Sequence, residues 1–222
     1  MSFKSFNNYI ALSNGVRMPQ IGLGTWQSTK LGEGECAIES ALKEGYRHID
    51  AALYNYGNQK EVGAGISKSG VPRSEIFLVS KLHCTDSHRP ELVEADLDNT
   101  LKELDTEYLV FYLIYWPVPF QPGATLSATR SRADDPVALL KSDKVRAIGV
   151  SNFTIEHLEI LADVTPAVNQ IEVHPLLQQG DLTAYSKEKG VHGKTSLVVR
   201  PSSLIVLSLL LRQIWALLQP KF

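Results

Sequence analysis

The chain has little of what would mark it for a specialised class of protein. It holds two cysteines in 222 residues, Cys36 and Cys84, too few for a disulfide framework and in keeping with a reducing compartment. Charge is close to balance, 22 Lys and Arg against 24 Asp and Glu for a net −2. The basic residues are scattered, so no nucleic-acid partner is expected. The opening MSFKSFNNYIALSNG lacks the apolar run of a signal peptide, and cytoplasm is the expected location. No apolar stretch reaches the ~20 residues of a membrane span. The nearest, 204–218 (LIVLSLLLRQIWALL), carries Arg212 near its middle, which leaves a membrane tether as the weakest reading. His48, His83, His174 and His192 share no metal-ligand spacing, and no metal is expected. Two phosphate-binding patterns also fail. A G-x-G-x-x-G run from Gly22 meets Gln27 where its third glycine is needed, and Gly193-Lys194-Thr195 has Glu188 where a P-loop needs glycine.

What remains is organised around residues 45–63, GYRHIDAALYNYGNQKEVG. A short apolar run ends on Asp50, and a loop with Tyr54 and Tyr56 follows before Glu61. The next run, 76–82 (IFLVSKL), carries Lys81 near its end. An acid, a phenol and an amine delivered from successive strand ends would make a proton-transfer site at one face of a barrel or open sheet. Taken alone, Asp50 also suits a helix cap or a surface ion pair.

Strand and helix signals alternate along the chain. A small hairpin around Asn14-Gly15 precedes a first barrel strand over 21–26 (IGLGTW). A helix over 33–43 has Cys36, Ala37, Ile38, Ala41 and Leu42 as its apolar side and stops at Gly45. Helices follow over 60–68 and 90–104, the latter with Val93, Leu97, Leu101 and Leu104 at helical spacing. Residues 108–115 (YLVFYLIY) and 145–150 (VRAIGV) read as strands buried on both faces, as in a parallel sheet. Thr154 N-caps the next helix. A sixth strand covers 168–173 and a further helix 182–189. This alternation is the signature of βα units on a parallel sheet. Between 117 and 143 the rhythm leaves room for a loop and a short helix near 137–141. From 193 on it no longer reads as βα units, so 193–222 is taken as an apolar tail on a single domain spanning 1–222.

Seven motifs, IGLGTWQ, GYRHIDAA, YGNQKEVG, FLVSKL, LDNTLKELDTEYLVFYLIYWP, KVRAIGVSNF and NQIEVHP, together resemble the aldo-keto reductase superfamily. They occur in family order across most of the chain. The resemblance implies an α/β fold of TIM type, a (β/α)8 barrel, here incomplete with about six recognisable strands. It implies NADP(H) as cofactor and reduction of a small carbonyl substrate, an aldehyde or ketone, to the alcohol. Asp50 and Lys81 take the places of the pair that lowers the pKa of a catalytic tyrosine. A free phenol near ~10 is a poor acid at neutral pH, and a close ammonium favours its anion. Tyr56 fits the tyrosine position by its right-hand flank GNQKEVG, with Tyr54 as the alternative. Tyr115 stands where the family has a histidine before Trp-Pro; it can still donate one hydrogen bond to a carbonyl, but its size predicts weakened catalysis. Gly24, Thr25 and Trp26 match the nicotinamide pocket, and Ser151, Asn152 and Gln170 match the residues that hydrogen-bond its carboxamide. Trp26, His83 and Trp116 would line the substrate pocket.

The segments that bind the adenosine phosphate in the family have no counterpart after His192. A second reading therefore stands beside the enzyme: a shortened, impaired reductase acting, if at all, through binding. A monomer is expected, with association through an open barrel edge as its alternative.

Overall fold

The computed structural model describes residues 8–26, 28, 30–52, 57–84, 90–118, 143–161 and 164–196. Their strands form an antiparallel pair and a seven-stranded parallel sheet in sequential order. The pair comprises β1 (Tyr9–Ala11) and β2 (Arg17–Pro19). The sheet comprises β3 (Leu23–Gly24), β4 (His48–Asp50), β5 (Phe77–Leu82), β6 (Leu109–Ile114), β7 (Val145–Ser151), β8 (Val168–Glu172) and β9 (His192–Ser196). Five helices connect them: α1 (Glu33–Lys43), α2 (Gln59–Ser69), α3 (Pro90–Leu104), α4 (Ile155–Ile160) and α5 (Gly180–Glu188). Strict sequential order, with a helix in five of the six connections between parallel neighbours among the described residues, is the topology of a TIM-type barrel. The barrel is incomplete, with seven strands in a curled sheet.

Local signals set most of these boundaries. Helix α1 ends where Gly45 takes φ 104°. There the Gly45 and Tyr46 amides donate to the Leu42 and Ala41 carbonyls at 3.2 and 2.9 Å, closing both last-turn acceptors. Helix α2 stops at Gly70 in the same left-handed region. Thr154 caps α4, its hydroxyl accepting from the His157 amide while the His157 ring returns to the Thr154 amide. The short helix expected near 137–141 lies outside the described residues.

Three expectations change. The first barrel strand shrinks from 21–26 to Leu23–Gly24. Gly22 lies against β4, where an added Cβ would sit 2.8 Å from His48 Cγ. On α1, Cys36 and Ala37 are exposed, and Gly34, Ile38 and Leu42 are the buried positions. The buried stripe is narrower than expected by these two residues. Most consequential, 192–196 is a strand, paired in parallel with β8 from Val168↔His192 to Glu172↔Ser196. The loss of βα rhythm therefore does not begin at 193. A glycine and a lysine inside HGKTS weaken its strand signal, and hydrogen bonding to β8 supplies what propensity lacks.

Side-chain parity divides the core in two. Outward residues such as Ile49, Leu78, Leu82 and Tyr112 pack with Ile38, Leu42, Leu97 and Leu104 of the helices. Inward residues Phe77, Val79, Phe111, Leu113 and Val168 form a second cluster, joined by Leu12 and Met18 from the hairpin region. Because a strand alternates faces, the inward series on β5 runs Phe77, Val79, Lys81. Packing of the apolar members thus fixes where the charged one points.

Candidate active site

Asp50 is the last residue of β4 and lies inside the curled sheet, 7% exposed. Its Oδ1 accepts from Lys81 Nζ, whose second donation goes to the Ala51 carbonyl at 3.1 Å. Its Oδ2 accepts from Gln170 Nε2 at 2.8 Å and from Lys194 Nζ. Four strands, β4, β5, β8 and β9, thereby meet at one carboxylate. Burial by itself would raise the Asp50 pKa, but the two ammonium groups outweigh it and hold the carboxyl well below its ordinary range. This group stays ionised throughout the pH range of ordinary use.

The residues around the cluster are held by their own hydrogen bonds. The Thr25 amide and hydroxyl both donate to the Asp50 carbonyl, at 3.0 and 3.2 Å. Asn58 Nδ2 donates to the Thr25 carbonyl at 2.8 Å. Gln59 Oε1 accepts from Ser80 at 2.7 Å. Glu61 accepts from the Gly32 and Gly34 amides at 2.9 and 3.0 Å, serving the N-terminus of α1 in place of a side-chain cap. The GNQKE segment is therefore the brace between β3, α1 and β5.

Ser151, Asn152 and Gln170 converge at the ends of β7 and β8. Ser151 Oγ donates to the Gln170 carbonyl at 2.9 Å. Asn152 adopts φ 62° and sends Nδ2 to the Tyr115 carbonyl at 2.9 Å, a left-handed conformation that asparagine tolerates. Gln170 Oε1 is buried and has no hydrogen-bond partner among the described residues. An acceptor held in that state suits an amide N–H2, so the residues present fit the nicotinamide carboxamide.

Tyr115 follows β6 and is half-buried, with Lys81 Nζ 5.8 Å from its ring centroid. Trp26 and Trp116 are each 43% exposed at strand ends, Gly24 is exposed on β3, and His83 is half-buried after β5. Tyr54 and Tyr56 lie outside the described residues. His48 belongs to the inner core: its Nδ1 is 3.0 Å from the Pro19 carbonyl and its ring packs 4.9 Å from Phe77.

A family model described as the aldo/keto reductase family matches residues 20–194. The chain belongs to that family. It is 46% identical over 204 residues to the D/L-glyceraldehyde reductase of Hypocrea jecorina, covering 82% of this chain and 61% of that protein. It is 42% identical over 208 residues to the glycerol 2-dehydrogenase (NADP(+)) of Saccharomyces cerevisiae, covering 82% and 65%. Among solved structures, the aldose reductase from Schistosoma japonicum superposes with a TM-score of 0.80 at 32% identity, over 93% of this chain and 75% of that one. The Bombyx mori aldo-keto reductase in complex with NADP gives 0.80 at 28% identity, over 94% and 76%. The chain thus spans about three-fifths of the length of the first two relatives. Sequence reading had named each residue of the Asp50 cluster except Lys194. The signal for it was faint: it lies in register with Gln170, Gln170↔Lys194, so both face inward.

Proposed function

We propose that this chain reduces an aldehyde or ketone to an alcohol with NADPH, in the cytoplasm. The observation that carries the reading is the buried Asp50–Lys81 ion pair at the C-terminal ends of two neighbouring parallel strands, the face where TIM-type barrels hold their chemistry. Bound NADPH supplies the hydride. Gln170 Oε1 would accept from its carboxamide, with Ser151 and Asn152 beside it. Gly24, Thr25 and Trp26 would contribute to the nicotinamide pocket. Lys81, paired with Asp50, favours the phenolate of Tyr56 and so lets that tyrosine release its proton to the carbonyl oxygen near neutral pH. Tyr115 takes the orienting place beside Lys81, and Trp26, His83 and Trp116 rim the substrate. The names of the two fungal relatives point to short hydroxylated substrates, with glyceraldehyde as the first to try.

A second reading is an impaired reductase that binds without turning over. One feature favours it: the second oxygen of Asp50 accepts from Lys194, so the carboxylate that anchors Lys81 is shared with a second amine. Fluorescence titration of the folded chain with NADPH, NADH in parallel, decides between them when followed by a glyceraldehyde assay. Saturable micromolar binding with turnover supports the enzyme. Binding without turnover supports the second reading, and no binding by a folded sample refutes the cofactor site.

A further inference from the structure

One carboxylate faces two ammonium groups, and the reductase reading uses only one. Lys81, Lys194 and Asp50 are at most 8% exposed, so among the described residues the cluster confines two amines with one carboxylate out of water. Protonating both is costly, and the ordinary relief is loss of a proton from one amine. The two lysines are not equivalent. Lys81 has the Ala51 carbonyl as a further acceptor at 3.1 Å, whereas Lys194 Nζ has only Asp50 Oδ2 among the described residues. Burial pulls the Lys194 amine below its ordinary value; Asp50 opposes this and Lys81 adds to it. Among the described residues, the other groups facing it supply no counter-charge. His48 on β4 is held neutral with its pKa lowered to about 3, Gln170 on β8 is uncharged, and His192 on β9 has its pKa lowered by burial. Asp181, Lys187 and Glu188 of α5, which packs on β9, are exposed.

We propose that Lys194 is a reactive amine at which a short-chain aldehyde condenses to an imine. The Nζ lone pair adds to the carbonyl carbon while the carbonyl π pair moves to oxygen. Both amine protons then leave with that oxygen as water, and a neutral C=N bond remains. No oxidant or reductant enters this step. A desolvated lysine beside a second cation is an established way to make an amine nucleophilic at neutral pH. The narrow exposure of the site limits it to small aldehydes. The proposal goes beyond the reductase reading and needs no cofactor, so either one can fail alone.

The test is reductive trapping on the folded full chain, with formaldehyde as the aldehyde and sodium cyanoborohydride as the added hydride donor. Peptide mass spectrometry then follows methylation at each lysine. At pH 7 Lys194 should be modified severalfold faster than Lys60, whose side chain is 81% exposed. That preference should shrink as the pH is raised and exposed lysines lose their protons. Modification of Lys194 slower than Lys60 at every pH, or only in denaturant, overturns the proposal. In a folded Lys194→Met variant the fast modification should vanish. Its transfer to Lys81 at the same rate would overturn the assignment, and if the variant does not fold, the comparison within the natural chain decides.

Discussion

Gln170 and Asp50, 120 positions apart, are joined by a 2.8 Å hydrogen bond from Nε2 to Oδ2. The bond spans the curled sheet from β8 to β4. It leaves the Gln170 side chain with its Nε2 committed and its Oε1 without a partner among the described residues. Gln170→Leu should therefore weaken NADPH binding by about 1 kcal/mol, roughly fivefold in Kd, since one hydrogen bond of ordinary worth is lost. Fluorescence titration checks this. An unchanged Kd would separate Gln170 from the cofactor.

Lys81→Met should lower glyceraldehyde turnover by about 10² or more, the usual span for an acid–base contribution. Folding should survive, because Asp50 keeps Lys194 as a partner. Circular dichroism alongside the rate assay distinguishes lost chemistry from lost structure. Full activity would remove Lys81 from the mechanism.

Asp50→Asn leaves the buried Lys81 with no carboxylate partner. Breaking a buried ion pair from one side costs about 3–5 kcal/mol, so the urea midpoint should fall sharply. With the Lys194 amine neutral, adding Lys194→Met should recover little of that loss. A double variant clearly more stable than the single one would show that Lys194 is charged in the folded protein.

His48 should give stability an acid limb. Burial and, after it, Lys194 hold its pKa down to about 3, while an unfolded histidine protonates near ~6.5. Below that value the unfolded chain takes up the proton and the folded chain does not. The stabilisation is complete above ~6.5 and falls as the pH drops toward 3, with a slope of at most about 1.4 kcal/mol per pH unit. Asp50, with its depressed pKa, adds a further loss below ~4. Urea unfolding across this range should show the limb, and His48→Asn should flatten its upper part. An identical slope in the variant would assign the limb to other groups.

Gly149→Ala should destabilise by about 1–3 kcal/mol through overpacking. The new Cβ would lie 2.7 Å from Val168 Cγ2, 2.8 Å from Leu113 Cδ2 and 2.9 Å from the Val168 carbonyl. Two neighbouring strands, β6 and β8, would have to move apart. A melting temperature equal to that of the natural chain would show that the sheet relaxes there without cost.

Much of this architecture was legible in the amino-acid order. Helix α1 runs over the residues its stop signal at Gly45 defines, and α3 over those between Pro90 and Leu104. Strand β6 was visible because apolar and aromatic residues fill both of its faces. Asp50 and Lys81 were readable as neighbours because each closes an apolar run, and parallel strands in sequence bring such ends together. These are local signals, carried within a turn or a strand length.

The parts that sequence reading missed depend on contacts between distant segments. HGKTS is a poor strand by composition, yet the free edge of β8 offers it a full hydrogen-bond ladder from Val168 to Glu172. Once β9 is seated in that register, Lys194 must face inward, and the curl of the sheet carries its amine to a carboxylate on the fifth strand away in sheet order. The sequence determined by itself that this is a βα chain of the aldo/keto reductase family and where its acid and first amine would stand. Only the tertiary structure decided that a second amine shares the acid. Strand parity is local, whereas the closure that brings β9 to β4 is set by the twist and packing of the whole sheet.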